Sequence, residues 1–158
     1  GGKNIKDYKI ENLMNSISMV FQDVYLFEDT IENNIKFGKQ NASHEKVVEA
    51  AKKARCHEFI ENLPDGYNTI IGEGGASLSG GEKQKVSIVR ALANKPRLLL
   101  MDEPFSSIDE KFKNKFYEEL IEIKKSLDIP IIMVTHNRYE AEILSDRLIF
   151  IDKGEIVK

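Results

Sequence analysis

Three features predict an α/β protein: a three-layer core with a parallel sheet between helices, preceded by a helical insert. The runs Leu98–Met101 and Ile131–Val134 are apolar without alternation, the pattern of strands covered on both faces. Each run is followed by apolar residues three or four apart, so strands alternate with helices through the second half. The stretch from Val24 to Asn62 is instead polar and helical in texture. The expected division is a helical subdomain over about 24–94 and an α/β core over 1–23 and 95–158, with no linker, repeat or low-complexity tract.

Taken in order, Ile10, Leu13 and Met14 share one face of a short helix ending before Ser16. Ile17, Met19, Val20 and Phe21 form a strand that stops at the polar pair Gln22-Asp23. Ile31–Ile35 reads as one helical segment, and Ser43 caps a second whose apolar face is Val47, Val48, Ala50, Ala51 and Ala54. Leu63-Pro64-Asp65-Gly66 is turn chemistry, and Thr69–Gly75 is a glycine-rich loop. A helix runs from Ser79 to about Ala93 and is ended by Asn94-Lys95-Pro96. Phe112, Phe116, Leu120, Ile123 and Leu127 mark the core face of the next one, and Tyr139–Leu144 is a third. Leu148–Ile151, the turn Asp152-Lys153-Gly154 and Ile156-Val157 close the chain as a hairpin.

Composition excludes several classes. Hydrophobic residues at 41% with 31% charged fit a globular chain of 158 residues rather than a disordered one. A formal net charge of −3 gives no basic field, so nucleic acid is not an expected partner. The single cysteine, Cys56, completes no disulfide or metal-ligand spacing, which fits a reducing compartment. No window is apolar enough to span a bilayer, and Gly1-Gly2-Lys3-Asn4 is neither a signal peptide nor an initiator-methionine start, so a piece of a longer chain is expected.

Two stretches carry chemistry. Asp102 and Glu103 fall at the carboxyl end of a buried parallel strand, where open α/β sheets bind ligands. There Asp102 could hold Mg²⁺ and Glu103 could polarise an attacking water. Ser79 with Glu82 three residues on is a capping box that needs no function. Gly80 and Gly81 are different, since each costs a first helical turn about 1 kcal/mol against alanine. Their expected use is close approach of a phosphate to their N–H groups, with the Ser79 hydroxyl alongside. His136 ends the next buried strand, within reach of a terminal phosphate; His44 and His57 receive no role.

Leu78–Gln84 resembles the signature motif of ATP-binding cassette (ABC) ATPases, and Leu98–Glu103 their Walker B strand. Phe21-Gln22-Asp23 is similar to their Q-loop, Ser106–Asp109 to their D-loop, and His136 to their switch histidine, all in the family's order and spacing. The resemblance implies a P-loop-NTPase-like ABC ATPase fold using ATP and Mg²⁺, with Glu103 as base, Asp102 and Gln22 serving Mg²⁺, and His136 at the γ-phosphate. It also implies that Ser79, Gly80, Gly81 and Gln84 close over ATP held by a second ATPase domain in a head-to-tail dimer, with Asp109 at that interface. The helical insert, reached through Gln22, would dock on a transporter membrane domain at the cytoplasmic face of the membrane.

The chain departs from the family in two ways. The phosphate loop G-x-x-x-x-G-K-[ST] is absent; Gly2-Lys3 is followed by Asn4, not by Ser or Thr. The chain therefore resembles roughly the last two thirds of the domain and is expected neither to hydrolyse ATP alone nor to cover its apolar sheet. Second, 21–35 and 69–75, with Glu73 at its centre, resemble exporters, whereas 102–105, 135–137 and 144–147 look more like importers; exporter is favoured. The rivals are the ATPase head of a chromosome-maintenance or DNA-repair protein, which needs heptads not found between Val24 and Ser77, a soluble ABC protein of ribosomes, and a non-catalytic module completing a partner's ATP site.

Overall fold

Helix α1 (Ile10–Met14) opens into strand β1 (Ile17–Val20) in the computed structural model, which describes residue 2 and residues 4–157. Lys3, half of the Gly2-Lys3 pair above, lies outside the described residues. The face expected of α1 does not pack, because Ile10 and Met14 are exposed. A short ribbon follows, β2 (Asp29–Thr30), whose partner is found 40 residues later. Thr30 caps α2 (Ile31–Lys36), its Oγ1 accepting from Asn33 N at 3.1 Å. Helix α3 (His44–Lys53) buries Val47, Ala50 and Ala51, and α4 (His57–Glu61) buries Ile60. Strand β3 (Ile70–Ile71) then returns to pair antiparallel with β2.

The second half alternates as predicted: α5 (Gly80–Ala93), β4 (Leu98–Asp102), α6 (Glu110–Ser126), β5 (Ile131–Val134) and α7 (Arg138–Leu144). The hairpin β6 (Phe150–Asp152) and β7 (Glu155–Val157) turns at Lys153 and Gly154. Both have positive φ, at 49° and 83°, as a two-residue type I′ turn requires.

The main sheet is parallel, in the order β1-β4-β5. One face is core: Val20, Leu99 and Met101 are buried, with Ile131 and Met133 packed beside them. The opposite row, Met19–Leu100–Ile132, is as apolar as expected but is not covered on both sides. Met19, Ile132 and Val134 are exposed, so among the described residues the helices shield one face of these strands. Helix α5 joins the two halves, packing on α2 and α3 and also against β1, and its first residue, Gly80, meets Ser107 in the turn after β4.

Candidate functional site

Parallel strands point the same way, so their carboxyl ends gather along one edge, and three of the predicted site segments meet there. Gln22 lies just past β1, Asp102 ends β4 and Glu103 follows it, and His136 lies just past β5. Val20 pairs with Met101, and Asp102 with Val134, which fixes the three segments side by side. Gln22 and Asp102 are exposed at this edge.

Glu103 and His136 are in direct contact. Glu103 Oε1 accepts from His136 Nδ1 and from His136 backbone N, each at 2.8 Å. The carboxylate is only 15% exposed while the imidazole is 85% exposed, so the pair presents the ring outward and holds the acid behind it. An ionised carboxylate only accepts, so the contact requires the proton on His136 Nδ1. Nε2 then donates only when the ring is an imidazolium. Glu103 adopts φ 44°, a left-handed conformation costly for a residue with a Cβ, and the turn that follows secures it. Its carbonyl accepts from Ser106 N at 3.1 Å and Ser106 Oγ at 3.0 Å, and its N–H donates to Val134 O at 2.9 Å.

The start of α5 has the predicted capping box. Ser79 N donates to Glu82 Oε2 at 2.8 Å, and Glu82 N donates to Ser79 Oγ at 3.3 Å. The helix's first main-chain bond is Lys83 N to Ser79 O at 3.0 Å, so the N–H groups of Gly80 and Gly81 precede it and have no place in the helical ladder. The two glycines are not equivalent. A Cβ on Gly80 would lie 2.1 Å from Ser107 O, so close packing alone demands that glycine. A Cβ on Gly81 would meet nothing nearer than Phe116 Cδ2 at 3.9 Å, so nothing among the described residues forbids a side chain there.

That contact places the 106–109 turn between the two half-sites: Ser106 holds Glu103 while Ser107 abuts Gly80. Asp109 is the N-cap of α6, yet its carboxylate makes no capping hydrogen bond and stays exposed. Gln84 departs from the expectation. Its side chain is 0% exposed in this chain, turned into the core rather than lying along the helix start with Ser79 and Gly81. Both its amide atoms lack hydrogen-bond partners among the described residues.

Beside Gln22 opens a groove of about 430 Å³, lined by Phe21, Tyr25, Phe27, Phe37, Gly38 and Arg90. Three of its aromatic rings are in contact, Tyr25 edge-on to Phe27 at 5.4 Å and Phe27 to Phe37 at 4.6 Å. Arg90 of α5 donates to Tyr25 O at 3.0 Å, and burial pulls its pKa below the ordinary guanidinium value. Lys85 of α5 meets Glu119 of α6 at 2.6 Å, half-buried. Sequence reasoning passed over both cations, because a helix pattern shows their face but not the distant groups they reach. Cys56 is buried and its thiol is pushed up to about 12 by desolvation, the mark of an inert core cysteine.

The ABC transporter family profile matches residues 1–106. The chain is 43% identical over 156 residues to an ATP-dependent lipid A-core flippase of Haemophilus influenzae (strain 86-028NP), covering 98% of this chain and 26% of the relative. It is 43% identical over 157 residues to a putative multidrug export ATP-binding/permease protein of Staphylococcus aureus (strain NCTC 8325 / PS 47), covering 99% of this chain and 27% of that one. A bacterial Atm1-family ABC exporter solved with ATP bound superposes with a TM-score of 0.82 at 35% identity, over 99% of this chain and 27% of that chain. The chain thus spans about a quarter of the length of these relatives. Matched along most of its length by the family profile, and sharing the fold of an exporter of that family, the chain belongs to the ABC transporter family.

Proposed function

We propose that this chain is part of the ATP-binding domain of an exporter-type ABC transporter, coupling ATP binding and hydrolysis to movement of a substrate across a membrane. The observation that carries the reading is the Glu103–His136 contact at the carboxyl edge shared with Gln22 and Asp102. Export is favoured over import because the flippase, the multidrug protein and the superposed exporter are named for outward movement or flipping.

The donor set suits a nucleotide with Mg²⁺. No group of three or more His, Cys, Asp or Glu is arranged to hold a metal among the described residues. That accords with Mg²⁺, which takes one or two carboxylates and fills its shell with phosphate and water. Asp102, assisted by Gln22, is the proposed ligand. When bound, ATP supplies the transferable phosphoryl group and Mg²⁺ neutralises its charge. Glu103 Oε2, not engaged by His136, is placed to accept a proton from water, and His136 Nε2 donates outward in the imidazolium form. Gln22 connects this edge to the aromatic groove, the proposed seat of the membrane domain at the cytoplasmic face. The division into an insert over about 24–94 and a core over 1–23 and 95–158 follows the same reading.

Ser79, Gly80 and Gly81 are assigned to a second site: the ATP held by another ATPase domain in a head-to-tail dimer, with Asp109 at the interface. The N–H groups of the two glycines, which lie outside the helical ladder among the described residues, support this. No phosphate loop occurs within these residues, so ground-state binding of the β- and γ-phosphates has no lysine and N–H cradle here. A second reading, a module that only completes a partner's site, rests on the same two N–H groups. The purified 158-residue chain is expected to show no Mg²⁺-dependent ATP turnover; turnover that disappears on Glu103→Gln would overturn this. Stimulation of a complete partner domain by the chain would support the second reading.

A further inference from the structure

Among the described residues Glu140 is the one charged residue among the buried polar side chains, at 3% exposure. It stands three residues after Asn137, the N-cap of α7, where an exposed glutamate would serve the helix start equally well. Its carboxylate is instead drawn inward. Oε2 accepts from Thr135 Oγ1 at 2.6 Å, and Oε1 accepts from Tyr117 Oη of α6 at 3.1 Å and from Asn137 Nδ2 at 3.4 Å. Thr135 Oγ1 in turn accepts from Asn137 N at 3.1 Å, and Asn137 Oδ1 accepts from Tyr139 N at 3.0 Å. Thr135 and Asn137 are the two neighbours of His136. The carboxylate therefore clamps the chain on both sides of the histidine, while the imidazole's own hydrogen bond among the described residues is to Glu103.

The anchor is itself packed on its far side. Tyr117 packs edge-on against Phe105 at 4.7 Å, two residues past Glu103. Burial first, and then the bond to Glu140, raise the Tyr117 pKa, so its hydroxyl remains a donor. Burying a carboxylate is unfavourable unless donors compensate it, and here the donors come from α6 and from both flanks of one exposed histidine.

We propose that Glu140 is a positioning residue for His136: it fixes the Thr135–Asn137 turn so that His136 Nδ1 stays on Glu103 and Nε2 faces outward. The consequence for phosphate contact rests on the function proposed above, whereas the positioning itself does not.

The test uses histidine-selective ¹⁵N labelling, which separates the two neutral tautomers. The chain has three histidines, and a His136→Asn variant assigns the signal. In the unaltered chain, at a pH where the ring is neutral, His136 is expected as the Nδ1–H tautomer. Glu140→Ala should lose that preference and give the Nε2–H form that an unconstrained imidazole favours. Thr135→Val should do the same, with Thr135→Ser restoring the original signal. Ser145→Ala, which removes a bond to Ala141 O at the other end of α7, should leave it unchanged. A folded Glu140→Ala chain with the original tautomer overturns the proposal. If that variant does not fold, an unaltered signal in Thr135→Val overturns it instead. Failure of the catalytic reading would appear separately, as unchanged ATP turnover in a His136→Ala transporter while the tautomer results in chains that keep His136 remain as expected.

Discussion

Glu103 and His136 share one oxygen: Glu103 Oε1 takes both the backbone and the Nδ1 hydrogen bonds of His136, each at 2.8 Å, and leaves Oε2 unengaged among the described residues. The arrangement keeps the acid in place without occupying the atom proposed to accept a proton. Replacing Glu103 by Gln preserves an acceptor for His136 N but removes the base. In the full-length transporter, Glu103→Gln is expected to lower ATP turnover by about 10²–10⁴-fold while equilibrium ATP binding is retained. Parallel turnover and binding measurements check this.

The glycine pair separates packing from ligand chemistry. Gly80→Ala forces a Cβ onto Ser107 O and should destabilise the chain by about 1–3 kcal/mol. Gly81→Ala meets only an ordinary contact with Phe116 and should be neutral or stabilising by up to about 1 kcal/mol, through the better helix propensity of alanine. Denaturant unfolding should therefore separate the two variants, Gly80→Ala falling in stability and Gly81→Ala unchanged or rising, although both are expected to weaken the trans site.

A pH effect is expected in the insert. Glu32 meets Lys36 Nζ at 2.6 Å and His44 Nδ1 at 2.7 Å. Burial, the largest influence, pushes its carboxyl pKa up, but the bonds and charges of Lys36 and His44 together hold it below the ordinary value. A depressed folded-state pKa gives stability that is present above the unfolded value and is lost as pH falls through the folded one. Glu32→Gln should therefore cost about 0.5–1 kcal/mol near neutral pH and nothing once the carboxylate is protonated. Urea titrations at the two pH values provide the comparison.

The uncovered sheet face has its own consequence. Met19, Ile132 and Val134 leave an apolar row in water, and the 158-residue chain is expected to self-associate as its concentration rises. Met19→Ser with Ile132→Ser should shift sedimentation towards monomer. A monodisperse monomer without those changes would contradict this.

Much of this was legible in the sequence, for identifiable reasons. The uniform apolarity of Leu98–Met101 and Ile131–Val134 marked parallel strands, and the edge position of Asp102, Glu103 and His136 followed from strand polarity. Ser79 announced its cap because the interaction spans three residues. Long-range facts were not legible. The β2–β3 ribbon joins residues 40 positions apart through two-residue strands, too short for any period to register. Gly80 looked like a phosphate contact alone until the Ser107 carbonyl supplied a packing reason. Gln84 follows Gly80–Lys83, which are all partly exposed, and only its helical angle turns it inward. Glu140 read as an unremarkable helix-start acid, because its donors come from α6 and from the turn before it.

Ser79–Gly81 and Glu103–His136 are proposed to serve different ATP molecules, each site being shared by two domains. The most direct measurement mixes two inactive full-length transporters, one carrying Glu103→Gln and one carrying Gly81→Asp. In a head-to-tail pair both defects fall in one site and leave the other intact, so the mixture should recover ATP turnover that neither variant has alone. A mixture that stays as inactive as its components would contradict the account.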